Sequence, residues 1–202
     1  HLYLARPDHE AMLGALLGEF VFGLAALDDW SPVERREILV HRRVDRYTDD
    51  HPVVAGARRL FGEGRQRYAG IALDVYYDHC LARDWERHAE GPLDAFTAPF
   101  YRHLLARADV LPERLQRIAP LMAAHDWLGS YRERGNVDRA VARIATRLSR
   151  NGERLVACLD DLRISGLRAG AGSVDLVLRR HAEDVTIEIT RRSGKLEVVE
   201  TK

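Results

Sequence analysis

Apolar positions recur at steps of three and four along most of the chain. Leu115, Ile118, Leu121 and Met122 form one such series, and Val137, Val141, Ile144 and Leu148 another, the spacing of helices that bury one face. No period-two run interrupts the pattern between about residues 8 and 163, which predicts six or seven helices. Ser31-Pro32-Val33-Glu34 supplies a capping serine, a proline at the first helical position and a glutamate at the third, so a helix starts near residue 32. Pro52 and Pro112 are placed to start others, while Gly91-Pro92 and Gly135-Asn136 read as breaks.

After Arg163 the period changes to two. Gly166, Gly170 and Gly172 predict a loop, Ser173 to Leu178 and Val185 to Thr190 alternate as strands, and the turn Ser193-Gly194-Lys195 leads into a third strand at Leu196 to Val199. The expected fold is mainly α: a helical bundle of residues 1–163 followed by a short antiparallel β meander over 164–202. Both lysines, Lys195 and Lys202, lie in that tail, whereas the helical part uses arginine alone, a sign of separate origin.

With 202 residues and 46% hydrophobic content, the chain suits one well-buried domain with a small appendage. The 31 basic side chains balance 31 acidic ones, so no global charge favours nucleic acid or a membrane surface, and neither is expected as a partner. Arg6, Asp8, Glu10 and Glu19 interrupt the apolar first thirty residues, too early for a membrane span. Cys80 and Cys158 stand far apart in helical segments and read as reduced core residues of a cytoplasmic protein. A chain that opens on His1 rather than methionine is expected to have lost a few preceding residues.

Candidate chemistry starts at His41-Arg-Arg-Val-Asp-Arg-Tyr-Thr-Asp-Asp-His-Pro52. On a helix His41 and Asp45 share a face, with Asp49 following, and an imidazole beside a carboxylate suits a divalent cation. Taken alone the segment fits a solvated helix end better than a metal site. Asp74 and Asp78 repeat the four-residue spacing in an apolar segment, with His79 adjacent. Buried carboxylates there require a cation or arginine partners such as Arg42, Arg43 or Arg46. Glu19 sits in the apolar run Leu16-Leu-Gly-Glu-Phe-Val and can face the same interior, and His1 lies eighteen positions earlier. His125-Asp126 is the dipeptide that names a metal phosphohydrolase superfamily, although two residues carry little information. There His125 reads as an outer-site residue, Asp126 as solvated and Trp127 as core. Tyr76, Tyr77, Trp85, Phe96, Phe100 and Tyr101 also read as core. Residues 35–67 hold nine arginines against five acids, a local excess able to steer a phosphate or an acidic protein.

Taken in order, His1-Leu-Tyr-Leu-Ala5, Gly14-Ala-Leu-Leu-Gly-Glu-Phe-Val21, His41-Arg-Arg-Val-Asp-Arg-Tyr-Thr-Asp49 and Leu73-Asp-Val-Tyr-Tyr-Asp-His79 resemble the acyl carrier protein phosphodiesterases, over about residues 1–163. The resemblance implies a divergent HD-domain-like helical bundle and a divalent metal, typically manganese. It implies a reaction that hydrolyses the phosphodiester between 4'-phosphopantetheine and a serine of holo acyl carrier protein. Carried over by position, it implies metal ligands among His1, Glu19, His41, Asp74, Asp78 and His79. Asp45 or Asp78 would then act as base, Arg42 and Arg43 would hold the phosphate, and the acidic carrier protein would dock on the 35–67 arginines. Tyr3 replaces the family's second N-terminal histidine, and Glu19 its aspartate, a change of reach expected to affect rate more than fold. Two other readings stay open: an HD-type hydrolase of a nucleotide or other small phosphoester, and a catalytically impaired module that only binds the carrier protein.

Overall fold

The computed structural model describes residues 1–61, 64–148, 150–159, 161–169, 172–180 and 185–194. Its helices are α1 (Leu2–Ala5), α2 (His9–Leu17), α3 (Pro32–Asp50), α4 (Pro52–Arg59), α5 (Gln66–Arg83), α6 (Leu93–Ala106), α7 (Glu113–Ala124), α8 (Trp127–Ser130), α9 (Arg134–Ala145) and α10 (Gly152–Val156). Three strands follow, β1 (Asp161–Ala169), β2 (Gly172–Arg180) and β3 (Val185–Ser193). The fold is mainly α, as expected. Among the described residues seven helices reach eight residues or more, and the three additional ones span five or fewer, too short to show a periodic pattern. No helix is long and apolar enough to cross a membrane among the described residues.

Two compact units are distinguished, His1–His51 with Asp78–Asn136 and Pro52–Tyr77 with Val137–Lys202. In the first, α2 packs on α3 and α6, and α6 on α7. Helix α2 buries Met12, Leu13, Ala15 and Leu17, and together with Ile38, Phe100, Leu104 and Leu115 these form the core. Each of these side chains larger than alanine stabilises the unit by roughly 1.5–3 kcal/mol relative to exposure. Gly14 lets α2 and α3 approach, since a Cβ there would lie 2.7 Å from the Glu34 backbone. The start of α3 is the capping box read in the sequence: Ser31 Oγ accepts from the Glu34 amide at 3.2 Å and Glu34 Oε2 accepts from the Ser31 amide at 3.0 Å. Glu34 is buried, and Arg107 lies 3.2 Å from its second oxygen.

The second unit buries Val54, Tyr68, Ala69, Leu73, Val137, Val141 and Leu155, and Arg65 donates to the Ala157 carbonyl at 2.8 Å. Its strands form an antiparallel sheet in the order β1-β2-β3, with Ile164 opposite Leu176 and Leu178 opposite Ile187. Two expectations change here. The glycine-rich loop expected from Gly166 is largely strand, because β1 starts at Asp161 and absorbs Gly166 in an irregularity between Ile164 and Leu167, a common role for glycine in a strand. Gly135-Asn136 opens α9 rather than breaking a helix, with the Asn136 side chain donating to the Ser130 carbonyl at 2.8 Å. The strand expected at residues 196–199 lies outside the described residues.

Candidate metal centre

Helix α3 presents His41 and Asp45 one turn apart. His41 is 3% exposed and Asp45 52%, so the pair runs from the packed face of the helix out to solvent. Helix α2 makes the space for the imidazole: a Cβ at Gly18 would overlap the His41 ring. His41 Nδ1 lies 2.7 Å from the Ala15 carbonyl. A carbonyl only accepts, so Nδ1 donates and Nε2 is the nitrogen turned to the cluster. Anchoring one ring nitrogen on the backbone is how proteins aim a histidine ligand. Nε2 faces Glu19 Oε1 and Asp45 Oδ2, both at 3.3 Å. His1 stacks on His41 with ring centroids 3.7 Å apart, and its Nε2 lies 2.9 Å from Asp45 Oδ1. Donor atoms of His1, His41 and Asp45 all fall within 4.8 Å of one another.

Burial works against a charge on His41, but its hydrogen bond to Glu19 and the nearby Asp45 carboxylate outweigh it and raise the imidazole pKa. The same hydrogen bond to His41 lowers that of Glu19, while burial chiefly raises that of Asp45. The cluster therefore favours a proton on the imidazole between carboxylates, one that a bound dication would displace. Two imidazole nitrogens with two carboxylates form a donor set that divalent transition metals accept. The Nδ1 of His1 is buried without a hydrogen-bond partner among the described residues, a polar atom still to be satisfied beside the cluster. On both counts the residues fit a metal.

Helix α5 contributes in part. Asp78 keeps an exposed face, yet the protein around it desolvates the carboxyl and raises its pKa. His79 is 5% exposed and uses the device seen at His41: its Nδ1 lies 2.6 Å from the Tyr131 carbonyl. Asp74 belongs to the second unit and is exposed. The two carboxylates thus sit on an exposed face of α5, not the buried one that the apolar surroundings predict. Arg42 donates to the Val21 and Gly23 carbonyls at 2.8 and 3.2 Å, tying the loop after Glu19 to α3, and Arg43 is exposed. His125 is exposed at the end of α7, and Asp126, exposed as expected, caps α8 by accepting from the Gly129 amide at 3.1 Å.

A cavity of about 270 Å³ adjoins the cluster. His1, Glu19, His41 and Asp78 supply its polar edge, and Leu81, Trp85, Phe96, Met122, Trp127 and Leu128 its apolar wall. Of the aromatic residues read in the sequence as core, Trp85, Phe96 and Trp127 line this cavity, Phe100 and Tyr101 are buried, and Tyr76 is exposed on α5. Neither the Ala15 carbonyl nor this wall carries a sequence signal. Gly18 carries a faint one, a glycine four residues after Gly14 on an apolar helix.

Residues 1–166 match the family model described as acyl carrier protein phosphodiesterase. Among curated relatives, proteins of that name from Serratia proteamaculans and Yersinia enterocolitica are each 35% identical to this chain. The first is aligned over 74% of this chain and 78% of its own length, the second over 66% and 69%. One from Salmonella agona is 34% identical over 74% and 78%. No solved structure matches.

Proposed function

The chain belongs to the acyl carrier protein phosphodiesterase family, hydrolases acting on a phosphodiester bond, and from that premise we propose that it removes 4'-phosphopantetheine from holo acyl carrier protein with a divalent metal, manganese in the first instance. The observation that carries the reading is the convergence of His1, His41 and Asp45 within 4.8 Å, beside Glu19, in a chain of this family. These residues, with Asp78 and His79 as further candidates, would hold the ion. A divalent ion so held lowers the pKa of water and offsets charge on the phosphodiester oxygens.

The protein's own side chains do the rest. The oxygen of water bonds to phosphorus, the bond from phosphorus to the serine oxygen breaks, and that oxygen takes a proton. Asp78 is suited to accept the water's proton because desolvation raises its affinity for one, and Asp45 is the other candidate base. Arg43, and the guanidinium edge of Arg42 not spent on the Val21 and Gly23 carbonyls, suit the non-bridging phosphate oxygens. The arginines of residues 35–67 would supply positive charge that attracts an acidic carrier protein, with Arg58 and Arg59 at the end of α4 as the pair to test. Reversing the charge of Arg58 and Arg59 is expected to raise KM several-fold with kcat unchanged, and an unchanged KM argues against docking there.

The reading is tested by incubating the purified chain and manganese with holo carrier protein, and in parallel with a panel of nucleotides and small phosphodiesters. Release of 4'-phosphopantetheine and appearance of apo carrier protein is the expected result. Hydrolysis confined to the nucleotides assigns the chain to small phosphoesters, and carrier binding without hydrolysis to a binding module.

A further inference from the structure

Resting on that reading, we infer that the apolar cavity beside the metal-ligand cluster is the subsite for the pantetheine arm, so that the diester binds with the arm inward and the carrier protein's serine outward.

Three observations lead there. The cavity, about 270 Å³, shares His1, Glu19 and His41 with the cluster and has Asp78 on its polar edge, so a phosphate at the cluster has one substituent directed along the apolar wall. Glu19 and Asp78 are exposed whereas Trp85 and Met122 are buried, which sets the open side at the cluster. A folded carrier protein has no room inside such a volume, and only the small substituent of the diester enters. The wall's chemistry matches the part of the arm nearest phosphorus. In 4'-phosphopantetheine the ester oxygen is followed by a methylene and then a carbon bearing two methyl groups, and apolar atoms there meet Leu81, Phe96 and Leu128.

The same wall has few free partners for buried polar groups, so it suits the geminal methyls and leaves the hydroxyl and amides of the arm to the polar edge, whereas a nucleobase carries its polar edge on a rigid ring that has no such apolar lead. Trp85 Nε1 already donates to the Gly91 carbonyl at 3.1 Å, the Tyr3 hydroxyl to the His88 carbonyl, and the Tyr131 carbonyl accepts from His79. One consequence concerns product release. Cleavage at the outward serine oxygen leaves 4'-phosphopantetheine seated in the cavity, so it inhibits competitively against holo carrier protein.

Trp85 and Trp127 line the cavity and are two of the chain's three tryptophans, which provides a direct readout. Free pantetheine, titrated into the full chain without added metal, is expected to change tryptophan fluorescence saturably, and, added to the manganese assay, to inhibit holo carrier hydrolysis competitively. Ala82→Leu, which fills the cavity, is expected to weaken pantetheine binding at least tenfold. Should that variant lose its fold, nuclear Overhauser contacts between the geminal methyls of pantetheine and the Trp85 and Phe96 rings of the unaltered protein make the same test. The inference is overturned if the chain hydrolyses holo carrier protein while pantetheine neither alters fluorescence nor inhibits, or if adenosine occupies the cavity and pantetheine does not. Pantetheine binding without any hydrolysis of holo carrier protein overturns the proposed reaction and leaves the subsite standing.

Discussion

Helices α3 and α5 carry closely similar sequence signals, a histidine and acidic residues at helical spacing, and the structure uses them differently. On α3, His41 and Asp45 meet residues from two other segments: Glu19 follows α2, and His1 stacks on the imidazole. On α5, Asp78 joins the cavity lining, His79 is buried against the Tyr131 carbonyl, and Asp74 falls in the second unit. What the two histidines share is the anchor, Nδ1 held on a backbone carbonyl, at Ala15 for one and Tyr131 for the other. That anchor fixes which nitrogen turns away from the backbone carbonyl, and it comes from tertiary packing rather than from spacing within the helix.

The comparison breaks most severely at His41. His41→Ala removes the nitrogen on which the α2 and α3 groups converge, and should lower kcat/KM for holo carrier protein by about two to three orders of magnitude. Gly18→Ala leaves every ligand in place but drives a methyl into the His41 ring. Metal affinity is then expected to fall about 10–100-fold, the scale for disturbing a ligand's support, together with roughly 1–3 kcal/mol of overpacking strain visible in thermal unfolding. If the Tyr131 anchor prepares His79 for a ligand as the Ala15 anchor prepares His41, His79→Ala costs metal affinity by about 10-fold or more. An unfolding midpoint that drops while manganese affinity holds would assign His79 to packing. The smallest change is Glu19→Asp, which restores the carboxylate length that the family resemblance implies. Steady-state kinetics should show kcat rising a few-fold with the fold intact.

Much of the α3 half was legible in the sequence because its signals are local. The Ser31-Glu34 capping box and Pro32 set where the helix begins, and four-residue spacing then puts His41 and Asp45 on one face. Glu19 stood out as an acid in an apolar run and His1 as a histidine eighteen positions before it, and the family's motif order joined both to His41, since nothing local says that they meet it. The exposed face of Asp74 and Asp78 was misread because the apolar residues around them describe the opposite side of α5. In β1, Leu162 and Ile164 alternate and Leu167 falls one place out of phase. That slip is the trace of the bulge, hidden by the glycines that read as a loop. The Gly18 fit to His41 and the cavity wall depend on residues from five or more segments and leave no periodic mark.

The central claim, a metal centre built on His41, is tested most directly by titrating manganese into the purified chain while following the free-ion signal by electron paramagnetic resonance. Saturable binding by the unaltered protein, lost in His41→Ala at equal folded concentration, is the expected result. Equal uptake by the two proteins, or none by either, would contradict it.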